Sequence, residues 1–555
     1  MYQSIWRITA MAGLKLHLSR SHVLAALVLG SVALGLPADA VNPPPDGGYV
    51  NHNTAEGEDA LFNLTTGHNN TALGFDSLFS VTIGLGNTAV GEKALTSLTD
   101  GTTNTAVGSQ ALLSLIDGGD NTAVGFQALA AATGENFPNG NTAIGSSALA
   151  SFSSNGGGPS NTATGAFALH ALTAGLGNTA NGSAAMINFT ACDYNTAIGH
   201  DALAGDFETQ SVSGNYNTAS GAFALSSIIS GENNTANGMS ALFSNTTGDE
   251  NTASGAGALY LNGTGAGNTA SGFETLHDNI TGDNNTASGL HALYSNTSGS
   301  KNVAAGYRAL FSNTAGVDNT AIGDNALNQN TTGNNNTATG VNSLYSNTTS
   351  GGNAAYGLNA LFNHTTGNSN TGIGANALLN STTGSSNIAL GSQAGASLTT
   401  GSNNIDIGAP GVAGESAKIR IGRQGTQDGT YIAGILGATA GRAPIPVYVG
   451  PGGKLGTVAS SASYKEAVKP MDDASKDLLK LEPVTFHYKK EIDPDGALQF
   501  GLVAEEVEQV NPNLVGDDEE GKPYTVRYEA VNGCYSMSSS KNIAMCRNKT
   551  SGSKR

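Results

Sequence analysis

The sequence predicts an all-β repeat solenoid, a parallel β-roll, followed by a small α+β domain. Three observations predict it. One motif, written most fully NTAxGxxALxxNTTGxx, recurs 21 times and fills residues 53–407. Aromatic residues make up only 6% of the chain while Gly numbers 76, a composition that suits an elongated object with a thin core rather than a globule. From Val458 the texture changes to ordinary globular composition carrying both charges.

The repeat fixes the architecture. Its lead Asn recurs in steps of 17 from Asn53 to Asn121, from Asn161 to Asn195 and from Asn217 to Asn404. The three longer steps, to Asn141, Asn161 and Asn217, add three, three and five residues. Each addition (AATGENFPNG, SSNGGGPS, FETQSVSGNY) lies between the Ala-Leu element and the next NTA, so insertions map to one recurring turn. A coil of this length has room for two or three short strands with residues alternating inward and outward. Ala and Gly inside imply a narrow roll. Coils stacked about 4.8 Å apart would make an array on the order of 100 Å long, with the Asn side chains forming a ladder. The insertions, near residues 131–140, 152–160 and 206–216, are the candidate recognition loops because they break the uniformity of one edge.

On this motif the repeats resemble the head of trimeric autotransporter adhesins, in which NTAxG-like units form a left-handed parallel β-roll and three chains pack side by side. The resemblance covers about two thirds of the chain and implies a homotrimer, although the period is longer than that family's commonest unit. A single-chain β-solenoid of the same period is the alternative.

Charge narrows the partners. Between Asn53 and Gly408 the only basic residues are Lys93, Lys301 and Arg308, and the whole chain carries a formal charge of -18. A surface this poor in cations excludes nucleic acid as a ligand of the fibre. The acidic balance reads as a solubility device. The Asp pattern of calcium-binding β-roll repeats is missing from the motif.

Residues 1–40 read as a signal peptide: Arg7, Lys15 and Arg20 precede an apolar run from Val23 to Leu36, followed by Pro37-Ala38-Asp39-Ala40. The chain is therefore expected to be secreted or displayed at the cell surface, to begin at Val41 after processing, and to reach the repeats through a linker over residues 41–52. The mature chain shows no integral membrane segment by length. Cys192, Cys534 and Cys546 form neither a metal spacing nor a disulfide framework, and the ten His are scattered. No metal and no cofactor is expected.

After Gly408 a β-rich stem is expected over residues 408–458, with AKIRIG, TYIAGI and PVYVG as its strands. Beyond it the pattern predicts a helix around Asp472–Leu481, a strand Val484–Tyr488, a DPDG turn, a strand Leu498–Leu502, a helix Ala504–Val510 and a last strand near Tyr524.

The blocks SSASYKEAVKPMDD, LLKLEPVTFHYK, QFGLVAEEVEQVNPNLV and TVRYEAVN, in that order, resemble the intramolecular chaperone domain that ends phage endosialidases and other tail fibres and also occurs in the myelin regulatory factor. The domain is assigned to residues 459–533. The resemblance implies that it trimerises, assists folding of the fibre in front of it, and then cuts itself free with a Ser and a Lys five residues later. Here these are Ser460 and Lys465, and the scissile bond is Ala459-Ser460. Chemically, the Ser hydroxyl needs a base, and a Lys serves if burial in an assembled interface disfavours its charge. The Ser would attack the carbonyl before it and water would hydrolyse the ester, a single turnover. Ser461 and Ser463 stand where the family often has Asp and Arg.

Residues 534–555 depart further, because the family continues into an amphipathic helix of a three-stranded coiled coil and this tail has no heptad pattern. A permissible codon choice for CYSMSSSKNIAMCRNK, read in another frame, spells MLLNEFLKKHRNVQEQ, which has that helix's Leu/Phe spacing. We read this as a frameshift near Asn532.

The function expected is that of a secreted fibrous surface or tail-fibre-like adhesion or structural protein with a self-removing chaperone, acting on itself as a homotrimer and presenting its roll to a glycan or another cell. Two alternatives are a β-solenoid enzyme acting on polysaccharide, which needs paired carboxylates where the repeats put Asn, Thr and Ser, and an ice- or mineral-binding array built on the Thr rows.

Overall fold

The computed structural model describes residues 50–133, 139–153, 160–206, 208, 212–433, 445–458, 461–469, 477–518 and 520–532. Residues 1–49, where a signal peptide and a linker are expected, the centres of the three insertions and the tail from residue 533 lie outside the described residues. The chain divides after Arg423 into two units.

The first unit is a parallel β-solenoid. Its strands run from β1 (Thr54–Glu56) to β22 (Ile419–Ile421), each three residues long, and together form one 22-stranded sheet. Neighbouring coils pair in register, Thr on Thr and Ala on Ala, as in Thr252↔Thr269 and Ala253↔Ala270. Alternation along the strand turns the central Ala inward, where it is buried, and its two neighbours outward. The expectation of two or three strands per coil is corrected to one. The rest of each coil is a set of stacked turns, because every Leu of the Ala-Leu element takes the left-handed conformation, as at Leu95 (φ 52) and Leu310 (φ 53). That conformation is unfavourable for a residue with a side chain. It persists here because the Leu N–H reaches the next coil (Leu95 to the Ala111 carbonyl, 3.0 Å) while the side chain is wholly buried. A continuous apolar core runs from Ala55 to Leu398.

The lead Asn residues form the expected ladder, and its chemistry explains the choice of residue. The backbone N–H of Asn268 and its Nδ2 both donate to Asn251 Oδ1 one coil earlier, at 3.0 and 3.1 Å, and Nδ2 also donates to the Gly282 carbonyl at 2.8 Å. A buried side chain must satisfy its polar atoms. Asn does so by accepting twice and donating twice, where Asp would bring a charge and Ser too few groups. The ladder passes the insertions unbroken: the Asn141 N–H reaches Asn121 Oδ1 at 3.0 Å, Asn161 reaches Asn141 at 3.2 Å, and Asn217 reaches Asn195 at 2.9 Å.

A second column changes character half-way. In the first half it is apolar and fully buried, with Val81, Leu98, Leu115, Phe152, Leu172, Phe189 and Ile228. From Asn245 to Asn347 it becomes a second buried Asn ladder, each Nδ2 donating to the previous Oδ1 at 2.6–2.8 Å and to a Gly or Ser carbonyl three residues on. His364 and Ser381 continue the column, both buried, before Leu398 returns it to apolar.

The parallel sheet extends beyond Gly408: AKIRIG, assigned above to the stem, contributes β22, and the Lys418 N–H takes the ladder position on Asn404 Oδ1 at 3.1 Å. In this last pair Asp406 occupies the inward Ala position, fully buried with neither carboxylate oxygen hydrogen-bonded. Its register partner Arg420 forms a two-pronged ion pair with Glu415 at 2.8 and 2.7 Å.

The second unit is built of short antiparallel hairpins and one short α-helix. The pair β23 (Tyr448–Val449) and β24 (Leu455–Gly456) contains PVYVG, whereas Tyr431 to Ala433 of TYIAGI form no strand. Beyond them β25 (Val484–Phe486) pairs with β26 (Gln499–Gly501), helix α1 spans Ala504–Val510, and β27 (Val515–Asp517) pairs with β28 (Pro523–Val526).

Candidate functional site

The residues of the C-terminal unit fold locally as their chemistry dictates. Ser461 caps a 3₁₀ turn, Ala462–Tyr464, by accepting from the Ser463 N–H at 3.3 Å, and the Ser461 and Ser463 hydroxyls meet at 2.8 Å. The DPDG segment turns β25 into β26, with Gly496 at φ 60, the Ala497 N–H on the Asp493 carboxylate at 2.9 Å, and His487 Nδ1 at 2.8 Å from the Gly496 carbonyl. Helix α1 occupies the bounds read from the sequence, with Glu505 and Glu506 in its first turn, where the helix dipole favours them. Of the helix expected around Asp472–Leu481, residues 477–480 form a 3₁₀ turn, and 470–476 lie outside the described residues.

A small core joins these pieces. Val507 from α1, Leu514, Val515 from β27 and Val526 from β28 are buried together. The Arg527 N–H donates to the Leu514 carbonyl at 2.8 Å, and the Leu502 N–H donates to the Tyr528 hydroxyl at 3.1 Å, which ties the end of β26 to the segment after β28. Beside α1 lies a groove of about 200 Å³ lined by Leu481, Leu502, Val503, Glu506 and Val510.

Of the site residues read from the sequence, Ala459 and Ser460 lie outside the described residues. Lys465 directly follows the 3₁₀ turn, its N–H donating to the Ala462 carbonyl at 3.2 Å, and its side chain is exposed. The described residues from Ser461 to Lys469 are all exposed in the single chain. Base chemistry by a lysine needs surroundings that disfavour its charge.

With this geometry in place, the comparison with known families bears on the turn and the elements after it. Residues 460–516 match the family model of the chaperone of endosialidase, Peptidase S74. The match begins at Ser460, takes in the capped turn, the β25–β26 hairpin and α1, and ends within β27. The solenoid lies outside it. No curated protein and no solved structure matches the chain.

Sequence reading missed three features of the solenoid. The second Asn ladder was hidden because its residues occupy positions that hold Leu, Val or Phe in the first half. Asp406 was hidden because the stem was taken to begin next to it. A ring column was hidden because its members bear different names: Phe243, Tyr260, His277, Tyr294 and Phe311 stack with centroids 5.0–5.4 Å apart. The signal was the constant spacing of 17, visible once the residue after each Leu is aligned. Among the described residues no helix is long and apolar enough to cross a membrane, and no group of three or more His, Cys, Asp or Glu is placed to hold a metal ion.

Proposed function

We propose that this chain is a secreted fibre protein, structural or adhesive, that assembles as a homotrimer through a C-terminal intramolecular chaperone, which then releases itself at Ala459-Ser460. The observation that carries the reading is the family match at residues 460–516 in a chain whose preceding 350 or so residues are a parallel β-solenoid. The likeness of the repeats to trimeric adhesin heads adds to it. Supporting the trimer, Tyr464, Val468, Phe500 and Tyr524 are large apolar residues left mostly exposed on a small unit. The outward face of the last coils carries Ile373, Leu390, Ile407, Ile419 and Ile421, all exposed. Contiguous apolar surface of this kind marks association sites. A partner copy covering the turn would supply the surroundings that Lys465 needs to take the Ser460 proton.

The test is the denatured intact mass of residues 41–555 beside Ser460→Ala, with particle mass by light scattering. Two fragments meeting at Ala459-Ser460 in the parent alone, and three-chain particles, are expected. A monomeric parent overturns the trimer. An uncut parent that is trimeric overturns the release step and leaves the fibre.

A second reading has one specific observation behind it. In coils 12–14, Thr252/Ser254, Thr269/Ser271 and Thr286/Ser288 present two in-register hydroxyl columns on one strand face. This is the regular surface that an ice-binding array requires, and thermal hysteresis tests it directly.

A further inference from the structure

We propose that three successive coils of the solenoid, residues 273–311, form a carbohydrate-binding patch that takes a neutral, extended oligosaccharide strand lying along the array. The inference deepens the fibre reading and rests on it for its biological setting. Most of the solenoid sequence is Asn, Ser, Thr, Ala and Gly. In these three coils the same positions of the repeat change together. One outward column carries Phe273, Leu290 and Tyr307, exposed by 51%, 42% and 40%. The adjacent column carries Glu274, His291 and Arg308, and the next His277, Tyr294 and Phe311.

These columns interlock into one surface. His291 Nε2 lies 3.1 Å from Glu274 Oε2, and its ring packs against Phe273 at 6.0 Å and edge-on to Tyr294 at 5.3 Å. The Arg308 guanidinium sits 5.3 Å from the Tyr307 ring and 5.1 Å from the Phe311 ring. His277 Nδ1 lies 2.7 Å from Asp278 Oδ1. The stacked column behind holds the charged side chains in place from one coil to the next, so the patch is ordered before any ligand arrives.

The chemistry selects the ligand class. A pyranose offers an apolar C–H face and a rim of hydroxyls in neighbouring pairs. Exposed aromatic rings match the face, and a carboxylate or guanidinium, each presenting two hydrogen-bonding atoms in a plane, matches the rim. Here Phe273 and Tyr307 supply rings, Glu274 and Asp278 paired acceptors, and Arg308 paired donors. The repeat along the patch is the coil spacing of about 4.8 Å, close to the length of one sugar in an extended chain, so consecutive coils would address consecutive residues. A solenoid this acidic repels polyanionic chains, which leaves neutral glycans.

The experiment titrates residues 41–555 with cellohexaose, chitohexaose and a neutral α-mannan by calorimetry. The variants are Tyr307→Ala, Phe273→Ala and Glu274→Gln, with Tyr345→Ala, which belongs to a separate stacked pair with Phe362, as the control. Binding of at least one neutral glycan is expected. It should weaken by about tenfold or more in each patch variant, as removing a central contact does, and stay unchanged in the control, with thermal unfolding and particle mass as in the parent. No binding of any of the three, or equal binding by all variants, overturns the patch. A change of particle mass in Phe273→Ala or Tyr307→Ala overturns it in favour of a second copy as the occupant. Particle mass and cleavage at Ala459-Ser460 in the parent report on the fibre reading separately, so either idea can fail alone.

Discussion

The Nδ2 of Asn262 donates to the Oδ1 of Asn245 across 2.6 Å, and both side chains are wholly buried. Asn245 is the first member of its ladder, preceded in the same column by Ile228. This places it differently from Asn296, which donates to Asn279 at 2.7 Å and accepts from Asn313 at 2.8 Å. Asn296→Leu strands a carbonyl and an amide in the core, and Asn245→Leu strands only the Asn262 amide hydrogen. Leaving a buried group unpaired costs about 1–3 kcal/mol. Thermal or denaturant unfolding should therefore show Asn296→Leu roughly twice as destabilising as Asn245→Leu. Equal losses would mean that the ladder contributes through packing alone.

The Gly of NTAxG cannot be replaced cheaply. Gly306 has φ +132, and a Cβ there would lie 2.6 Å from the Gly323 carbonyl oxygen and 2.7 Å from its carbon in the next coil. Both obstacles are backbone and cannot swing away. Gly306→Ala combines a forbidden conformation with an overlap, and we expect a loss of about 3 kcal/mol or more. The same change at the exposed Gly496, whose Cβ would meet nothing within 4 Å, brings only the conformational cost of about 1 kcal/mol. Paired unfolding curves distinguish the two.

His364 gives the solenoid an acid sensitivity. Burial is the main cause of a pKa below the ordinary 6.5, outweighing the hydrogen bond to the Gly367 carbonyl at 2.6 Å. The unfolded chain therefore binds the proton more readily than the folded one, and stability falls as pH drops below 6.5 towards the lowered folded value. His364→Asn, which restores the ladder residue, should abolish this fall. Unfolding midpoints between pH 7.5 and 5 measure it, and an unchanged pH slope in the variant would exclude His364 as its source.

Asp406 acts with the opposite sign. Burial first, and then the neighbouring Glu415, push its carboxyl from 3.8 up to about 6, against the pull of Arg420. A raised acid binds its proton more tightly when folded, so its favourable contribution is complete below 3.8 and is lost as pH rises through about 6. The displacement corresponds to about 3 kcal/mol at neutral pH. Asp406→Ala, which supplies the residue usual in this column, should stabilise the solenoid at pH 7.5 by up to that amount and by nothing near pH 4. A variant less stable than the parent at pH 7.5 would show that the carboxylate has a stabilising partner.

In the C-terminal unit, Leu514→Ala removes the largest side chain of a four-residue core. Such truncations cost about 2–5 kcal/mol, as much as a small unit of this kind can lose. Limited proteolysis should then cut between α1 and β28. On the chaperone reading, the variant should also fail to yield trimers. Trimers at parental yield with the unit degraded would separate the chaperone function from this core.

The solenoid, its ladder and helix α1 were legible because each rests on a local rule repeated many times: alternation around the inward Ala, the double donor and double acceptor of Asn, and an amphipathic run with Glu in its first turn. Leu at positive φ was not legible. No propensity favours it, and only the neighbouring coil makes the conformation worthwhile. The β22 coil was missed because Ile and Arg replace Thr and Ala in it, and because the preceding coil is shortened to 14 residues, as the Asn404–Lys418 hydrogen bond shows. For the site, the pair Ser460 and Lys465 came from resemblance, and Lys465 follows an exposed turn in the single chain. A residue whose chemistry depends on a partner surface carries no mark of that surface in its own sequence.

The unbroken hydrogen bonds from Asn121 through Asn141 to Asn161 separate two properties that folds usually couple. Rung geometry is held by one side chain and a three-residue strand, while the chain between rungs varies in length without altering either. Each coil thus resembles a cassette whose mounting is standard and whose last turn, after the second buried column, is open. A lineage, or an engineer, could lengthen the stretch between the second buried column and the next NTA, as the extra residues after Phe152 do, and the solenoid would display the new peptide at a known height along its axis.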